Sequence, residues 1–176
     1  KRPELPALRA DVDGQSGGSG ALSIRAALTW QEAKVMGIDY WAALYSYSQA
    51  LCEKNAASEG AGGRCIFQHG DANKLDFPDE SFDAVVSNYV YHNITGADKQ
   101  KLPLETLRVL KKGGVFALND EMKPRMYGDM EEFAQNLRDM GYEEVRLIDT
   151  AKEVFGSHRR AAMMMLGESK MLVGRK

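Results

Sequence analysis

The chain has 176 residues, 44% of them hydrophobic and 27% charged, with a formal net charge of −2, which suits one globular domain with a sizeable core. That balance supplies no clustered Lys and Arg for nucleic-acid phosphates, and no apolar run nears the roughly 18 residues of a membrane span. Lys1-Arg2-Pro3 opens no apolar signal segment, and Cys52 and Cys65 are too few for a disulfide scaffold or a metal site. Two buried free thiols in a reducing compartment follow, and with them the expectation of a soluble, cytoplasmic protein.

In chain order, residues 1–10 are short and polar, with Pro3 and Pro6 discouraging a helix, and residues 11–20 read in part as a flexible Gly/Ser linker. The expected division is therefore a short N-terminal segment with a linker-like glycine loop over 1–20 and an α/β domain over 21–176. Residues 21–28 have helical composition, and 35–38 form a short apolar strand closed by Asp39. A helix over 40–59 stops before Gly60, Gly62 and Gly63. Strands follow over 64–68 and 82–86, then a helix over 99–110 in which Pro103 fits within the first turn. A Lys111-Lys112-Gly113-Gly114 turn leads to a strand over 115–118 that ends near Asn119-Asp120-Glu121. Phe133, Leu137 and Met140 mark an amphipathic helix over 130–140. Strands over 144–148 and 171–173 complete the pattern, while 161–166, with Met163 to Met165, reads as helix or strand. Alternating strands and helices imply a mainly parallel sheet covered on both faces.

Residues 66–88 are the most informative stretch. One strand ends on Gly70-Asp71, a turn passes through Phe77-Pro78, and the next strand stops at Ser87-Asn88. Strands ending in small and acidic residues build the ligand crevice of an open α/β sheet. With Leu75, Ser81-Phe82-Asp83 and Val85, this spacing resembles the class I S-adenosylmethionine-dependent methyltransferases of the small-molecule type. Gly18-Ser19-Gly20 followed by Ala21-Leu22-Ser23 resembles the back half of that family's glycine motif. The front half departs from it: without gaps, Ser16 replaces the first glycine and Gly14 the acidic residue, and Asp11-Val12 or Asp13-Gly14 match only with inserted residues. Ala7-Leu8-Arg9-Ala10 makes a poor strand before it. The other reading of this segment is an unstructured joint.

The resemblance implies a doubly wound three-layer α/β/α fold with a seven-stranded sheet of order 3-2-1-4-5-7-6, its last strand antiparallel and its first possibly degraded. It implies S-adenosylmethionine as cofactor and S-adenosylhomocysteine as product. Asp39, about 20 residues after the glycines, would take the ribose hydroxyls, or else cap the following helix. Tyr40 would lie against the adenine. Asp71 would take the adenine amino group and the Ala72 N–H a ring nitrogen, Asp71 being otherwise a turn residue. Gly18, Gly20 and Asn88 would meet the methionine portion. Trp41, Tyr45 and Tyr47 read as packing or surface residues with some reach to a substrate pocket.

Tyr91-His92-Asn93 faces the acceptor side. His92 is the candidate general base, for a histidine titrates near neutrality, or a packing residue in a family where holding the acceptor in line does most of the work. Tyr91 and Asn119 are substrate candidates, with Asp120 and Glu121 at the same edge. His69 and His158 have no partners at metal-ligand spacing, and no metal is expected. Family members usually carry N-terminal helices ahead of the first strand that have little counterpart here. Relatives with Gly-Ile-Asp-x-Trp and His-Asn-Ile segments, here 37–41 and 92–94, are tethered to membranes by an N-terminal segment, so the cytoplasmic face of a membrane is the alternative location.

The leading expectation is methyl transfer from S-adenosylmethionine to a small-molecule acceptor. The alternative is a methyltransferase-like domain with impaired cofactor binding, truncated or rearranged, acting as a scaffold or binding module. An NAD-linked Rossmann enzyme shares the Asp39 logic but is disfavoured by the Asp71-to-Asn88 pattern.

Overall fold

The computed structural model describes residues 18–41 and 48–176 in full and residues 7–10 by their backbone. Strands β1 (Ala7–Ala10), β2 (Val35–Asp39), β3 (Cys65–His69), β4 (Phe82–Asn88), β5 (Leu110–Glu121), β6 (Glu143–Ile148) and β7 (Ser169–Arg175) alternate with helices α1 (Ala21–Thr29), α2 (Gln49–Ser58), α3 (Lys101–Arg108), α4 (Pro124–Tyr127), α5 (Met130–Asp139), α6 (Thr150–Phe155) and α7 (His158–Met163). The protein is α/β. Strand pairing runs β3-β2-β1-β4-β5-β7-β6; β1 to β5 are parallel to one another, and β7 is antiparallel to both β5 and β6. The C-terminal ends of β2, β3, β4, β5 and β6 therefore share one edge, where an open α/β sheet places ligands.

Several elements depart from their sequence pattern for identifiable reasons. Ala7–Ala10 is short and carries an arginine, yet it pairs with Val35–Ile38 on one side and Ala84–Ser87 on the other. Its backbone groups find partners on both flanks whatever its side chains are. Helix α2 begins at Gln49, capped by Ser48 Oγ accepting from Leu51 N, and not at residue 40; residues 42–47, with Tyr45 and Tyr47, lie outside the described residues. The Lys111–Gly114 turn is a bulge inside β5. The register passes from Phe82 opposite Leu110 to Ala84 opposite Val115, leaving four residues against Asp83. Gly113 has φ 77°, Lys111 Nζ donates to Asp83 Oδ1 at 3.0 Å, and a Cβ on Gly114 would meet the Asp83 carbonyl oxygen at 2.9 Å.

The segment 161–166 resolves as the end of α7 followed by a turn, with Met163, Met164 and Met165 exposed. In α5, Met130, Phe133, Ala134 and Leu137 are buried, while Met140 falls just past the helix and is 65% exposed.

Two apolar clusters hold the described residues together. The larger packs β4, β5, β6 and β7 against α3, α4 and α5, with Phe82, Leu107, Leu118, Phe133 and Leu172 among its members. The smaller packs α1 and α2 against β2 and β3, and apart from Phe67 and Ile24 it consists of alanines, cysteines and Val35. Cys52 and Cys65 are buried free thiols within it. Among the described residues no helix is long and apolar enough to cross a membrane.

Candidate active site

Gly18 and Gly20 are buried at the start of α1, where Gly20 takes φ 80° as the residue before the helix. The turn is tied to α2: Cys52 Sγ donates to the Gly18 carbonyl at 3.1 Å and Asn55 Nδ2 to the Ser19 carbonyl at 3.1 Å. A Cβ on Gly20 would meet Phe67 Cζ at 2.9 Å, and one on Gly37 would meet Phe67 Cδ1 at 2.5 Å. Both glycines thus make room for the Phe67 ring. Their neighbours of the motif's front half, Asp11 to Ser16, lie outside the described residues.

Asp39 closes β2 and is 8% exposed. Its Oδ1 accepts from Trp41 N at 2.8 Å, which bends the chain at the strand end; Trp41 has φ 40°. The carboxylate does not cap α2, a role Ser48 fills. Tyr40 is 55% exposed, its ring tilted against His69 with centroids 5.0 Å apart. Gly18, Gly20, Ser23, Asp39 and Trp41 line a cavity of about 10 Å³, the size of one water. Ser23 Oγ and Trp41 Nε1 are buried there without a hydrogen-bond partner among the described residues.

On the next strand end, Asp71 is exposed and Ala72 is buried. Asp71 Oδ1 accepts from Asn73 N at 2.8 Å and from Asn73 Nδ2 at 2.7 Å, and Lys74 N donates to the Asp71 carbonyl at 3.0 Å. Asp71 is therefore a turn-former whose second carboxylate oxygen accepts no bond in this turn. The chemistry of the set fits an adenosyl group: a carboxylate at the end of β2, an open aromatic face on Tyr40 and an exposed carboxylate on Asp71. A ligand of that kind would lie over this edge of the sheet.

The ends of β4 and β5 are more densely joined. Asn119 Nδ2 donates to Asn88 Oδ1 at 2.8 Å, Thr150 Oγ1 donates to Asn119 Oδ1 at 3.0 Å, and Ser169 Oγ bridges Thr150 Oγ1 and the Tyr89 hydroxyl at 2.8 and 2.7 Å. Beyond the strand, Tyr89 takes φ 54° and its N–H donates to the Asn119 carbonyl at 2.8 Å, which turns the chain into a 3₁₀ turn, Tyr91–Asn93. That turn brings His92 Nδ1 to 2.5 Å from Asp120 Oδ1. Asp120 is fully buried, whereas the His92 side chain is 28% exposed. Asp120 also accepts from Tyr91 N and Glu121 N, each at 2.7 Å, so its carboxylate is held from three sides. Tyr89 packs its ring edge-to-face with His92.

Tyr91 does not reach the acceptor side as expected. Its ring is fully buried and its hydroxyl bonds Thr106 Oγ1 at 2.8 Å, and burial pushes the phenol up to about 12. Asn119 is 9% exposed with both amide atoms engaged. Behind them Tyr127 is buried, and its burial and the Asp120 charge hold its phenol well above the ordinary range. Lys99, 6% exposed, has its ammonium pushed down by burial and donates to the Ile94 carbonyl. The sequence marks His92 and Asp120 separately but carries no sign of their pairing beyond the place of Asp120 at the end of an adjacent parallel strand, nor of the parts played by Tyr89, Thr150 and Ser169. Among the described residues, no group of three or more His, Cys, Asp or Glu side chains is placed to hold a metal ion.

Comparison with known proteins bears on this edge. Residues 15–118 match the family described as a methyltransferase domain. Over 148 residues the chain is 28% identical to 27-O-demethylrifamycin SV methyltransferase of Amycolatopsis mediterranei, covering 82% of this chain and 50% of that protein. Over 65 residues it is 40% identical to demethylmenaquinone methyltransferase of Roseiflexus castenholzii, covering 37% of this chain and 26% of that one. The structure of geranyl diphosphate methyltransferase in complex with SAM matches with a TM-score of 0.68 at 13% identity, over 97% of this chain and 77% of that one; at that identity the likeness speaks for the fold. The matches to the first two curated relatives take in 22% and 57% of those proteins' lengths. Matched over more than half of its residues, the chain belongs to the methyltransferase domain family, whose architecture is that of the class I S-adenosylmethionine-dependent methyltransferases.

Proposed function

We propose that this chain transfers the methyl group of S-adenosylmethionine to a small-molecule acceptor that carries an ionisable proton. The observation that carries the reading is the His92–Asp120 pair, 2.5 Å apart at the edge where β4 and β5 end. When bound, S-adenosylmethionine supplies an electrophilic methyl on a sulfonium sulfur and departs as S-adenosylhomocysteine. Asp39 is assigned to the ribose hydroxyls, Tyr40 to the adenine face, Asp71 and the Ala72 N–H to the adenine edge, and Gly18, Gly20 and Asn88 to the methionine portion.

His92 has Nδ1 committed to Asp120, which fixes the ring and leaves Nε2 to take the acceptor's proton as its oxygen or nitrogen bonds the methyl. The buried carboxylate then faces an imidazolium rather than a neutral ring. Tyr91 drops out as a substrate contact because it is buried, and Asn119 orients Asn88. The relatives' names, a demethylrifamycin and a demethylmenaquinone methyltransferase, support a small-molecule acceptor. We place the domain over 21–176, with 1–20 supplying its first strand and glycine loop, and place the protein in the cytoplasm or at the cytoplasmic face of a membrane.

The second reading is a domain that binds cofactor poorly and serves as a scaffold; the Phe67 ring packed against Gly20 and Gly37 is the observation it would rest on. Calorimetry with S-adenosylmethionine and S-adenosylhomocysteine separates the two. Micromolar binding that weakens measurably in Asp39→Ala and in Asp71→Ala supports the enzyme, and no binding by the intact chain sinks it.

A further inference from the structure

The loop between β3 and β4 carries Asp71 and Ala72, and it is held from outside the candidate site. Arg108, the last residue of α3, donates from Nη2 to the Leu75 carbonyl at 3.0 Å and from Nη1 to the Phe77 carbonyl at 2.9 Å and to Asp79 Oδ1 at 2.7 Å. Glu105, one turn earlier, accepts from Arg108 Nε at 2.9 Å, from Arg108 Nη2 at 2.8 Å and from Leu75 N at 2.8 Å. The two side chains are 18% and 31% exposed for Glu105 and Arg108, so this is a partly buried, two-pronged pair and not a solvated surface contact.

Both backbone polar groups of Leu75 are thereby fixed, and Leu75 itself is 4% exposed in the larger core. The tight turn between Asp71 and Lys74 leads directly into that fixed residue. The far end of the loop is also set by α3, since Glu80 N donates to the Arg108 carbonyl at 3.1 Å and Phe82 N to the Val109 carbonyl at 3.0 Å.

We propose that Glu105 and Arg108 are positioning residues that clamp Leu75 and Phe77 and so set where Asp71 and Ala72 present themselves to an adenosyl ligand. The proposal rests on the reading that the chain binds S-adenosylmethionine. Cofactor affinity then depends on a guanidinium that acts through the loop. Its five donors in one plane serve two carbonyls and two carboxylates at once, which a lysine cannot do.

The test is calorimetric titration of the full 176-residue chain with S-adenosylhomocysteine, for the parent, Arg108→Lys, Asp71→Ala and the Arg108→Lys/Asp71→Ala double variant, with far-UV circular dichroism confirming the fold. Arg108→Lys weakens binding about tenfold in the parent and by clearly less in the Asp71→Ala background, because part of what the clamp positions is already gone there. If Arg108→Lys does not fold, Glu105→Gln, which keeps an acceptor for Leu75 N, takes its place in the same comparison. Affinity within twofold of the parent, or losses that multiply in the double variant, overturns the clamp while leaving the cofactor reading intact. A parent chain that does not bind S-adenosylhomocysteine overturns both.

Discussion

Around β4, β5 and β7 the described core is filled by Phe82, Leu107, Phe116, Leu118, Leu137 and Leu172, and the strand ends are cross-linked through Asn88, Asn119, Thr150, Ser169 and Tyr89. Around β2 and β3 the described core is mostly small, with Ala26, Ala27, Ala33, Ala56, Ala61, Cys52 and Cys65 beside Ile24, Val35 and the Phe67 ring, and Leu28 and Trp41 packed against them. Apolar burial stabilises by roughly 25 cal/mol per Å², so side chains of alanine size hold their half less firmly. Of the residues assigned to the cofactor, Gly18, Gly20 and Asp39 stand on the thinly packed half, whereas Ala72 and Asn88 belong with the thickly packed one, which also carries the pair assigned to proton transfer. The difference suggests a division of labour: a yielding shelf that ligand binding would stiffen, beside a rigid base whose geometry is fixed before substrate arrives.

The division is broken most directly at His92. His92→Ala is expected to lower methyl transfer about 100- to 10,000-fold while leaving S-adenosylhomocysteine affinity within about twofold; parallel loss of both, measured by radiolabel transfer and calorimetry, would merge the two functions. Packing is tested next. Phe67→Ala should cost about 3–5 kcal/mol and show in hydrogen exchange as loss of protection in β2 and β3 before β5 and β7. A single exchange front across all seven strands would sink the two-half picture.

A smaller insult to the same ring is Gly37→Ala, whose new Cβ would lie 2.5 Å from Phe67 Cδ1. It should destabilise by about 1–3 kcal/mol in urea unfolding, and a midpoint equal to the parent's would show that Phe67 has room to move.

The smallest effect belongs to the far end of the thick half. His158 Nδ1 donates to the Gly167 carbonyl at 2.8 Å and Nε2 bonds Asp149 Oδ2 at 2.8 Å, and these two contacts, in that order, raise the imidazole above its ordinary value. A raised folded pKa means that the stabilisation is fully present below about pH 6.5, the unfolded value, and fades as pH rises through the folded one. Asp149 behaves oppositely: burial works against its ionised form, but the Lys152 N–H and His158 outweigh it and lower the carboxyl, so its contribution fades on acidification. Urea midpoints across neutral pH should therefore decline slightly with rising pH in the parent. The decline should vanish in His158→Ala, and its survival there would remove the pair from the account.

Much of this architecture can be read in the one-dimensional pattern. The periodicity of Phe133 and Leu137, the Gly60-Ala61-Gly62-Gly63 stop and the Gly70-Asp71 and Ser87-Asn88 strand ends each report a local rule about turns, caps or amphipathic faces. Elements whose form depends on a neighbour are less legible. β1 is a strand because β2 and β4 flank it, and the Lys-Lys-Gly-Gly segment is a bulge because Asp83 and Lys176 receive it. The same holds for the candidate site. Asp39, Asp71 and Asn88 were named from their places at strand ends, whereas the inward turn of Tyr91 depends on Thr106, 15 residues away.

The sequence by itself determined the α/β class, the family resemblance and the strand ends that face a ligand, because each rests on residues close together in the chain. Only the tertiary structure decided that His92 is held by a buried Asp120, that Phe67 occupies the room its glycines open and that Arg108 clamps the loop bearing Asp71. Those three facts join groups between 28 and 47 residues apart, or sit on a loop and a helix with a whole strand between them. Their geometry is set by strand order and helix docking, which no local pattern of side chains records.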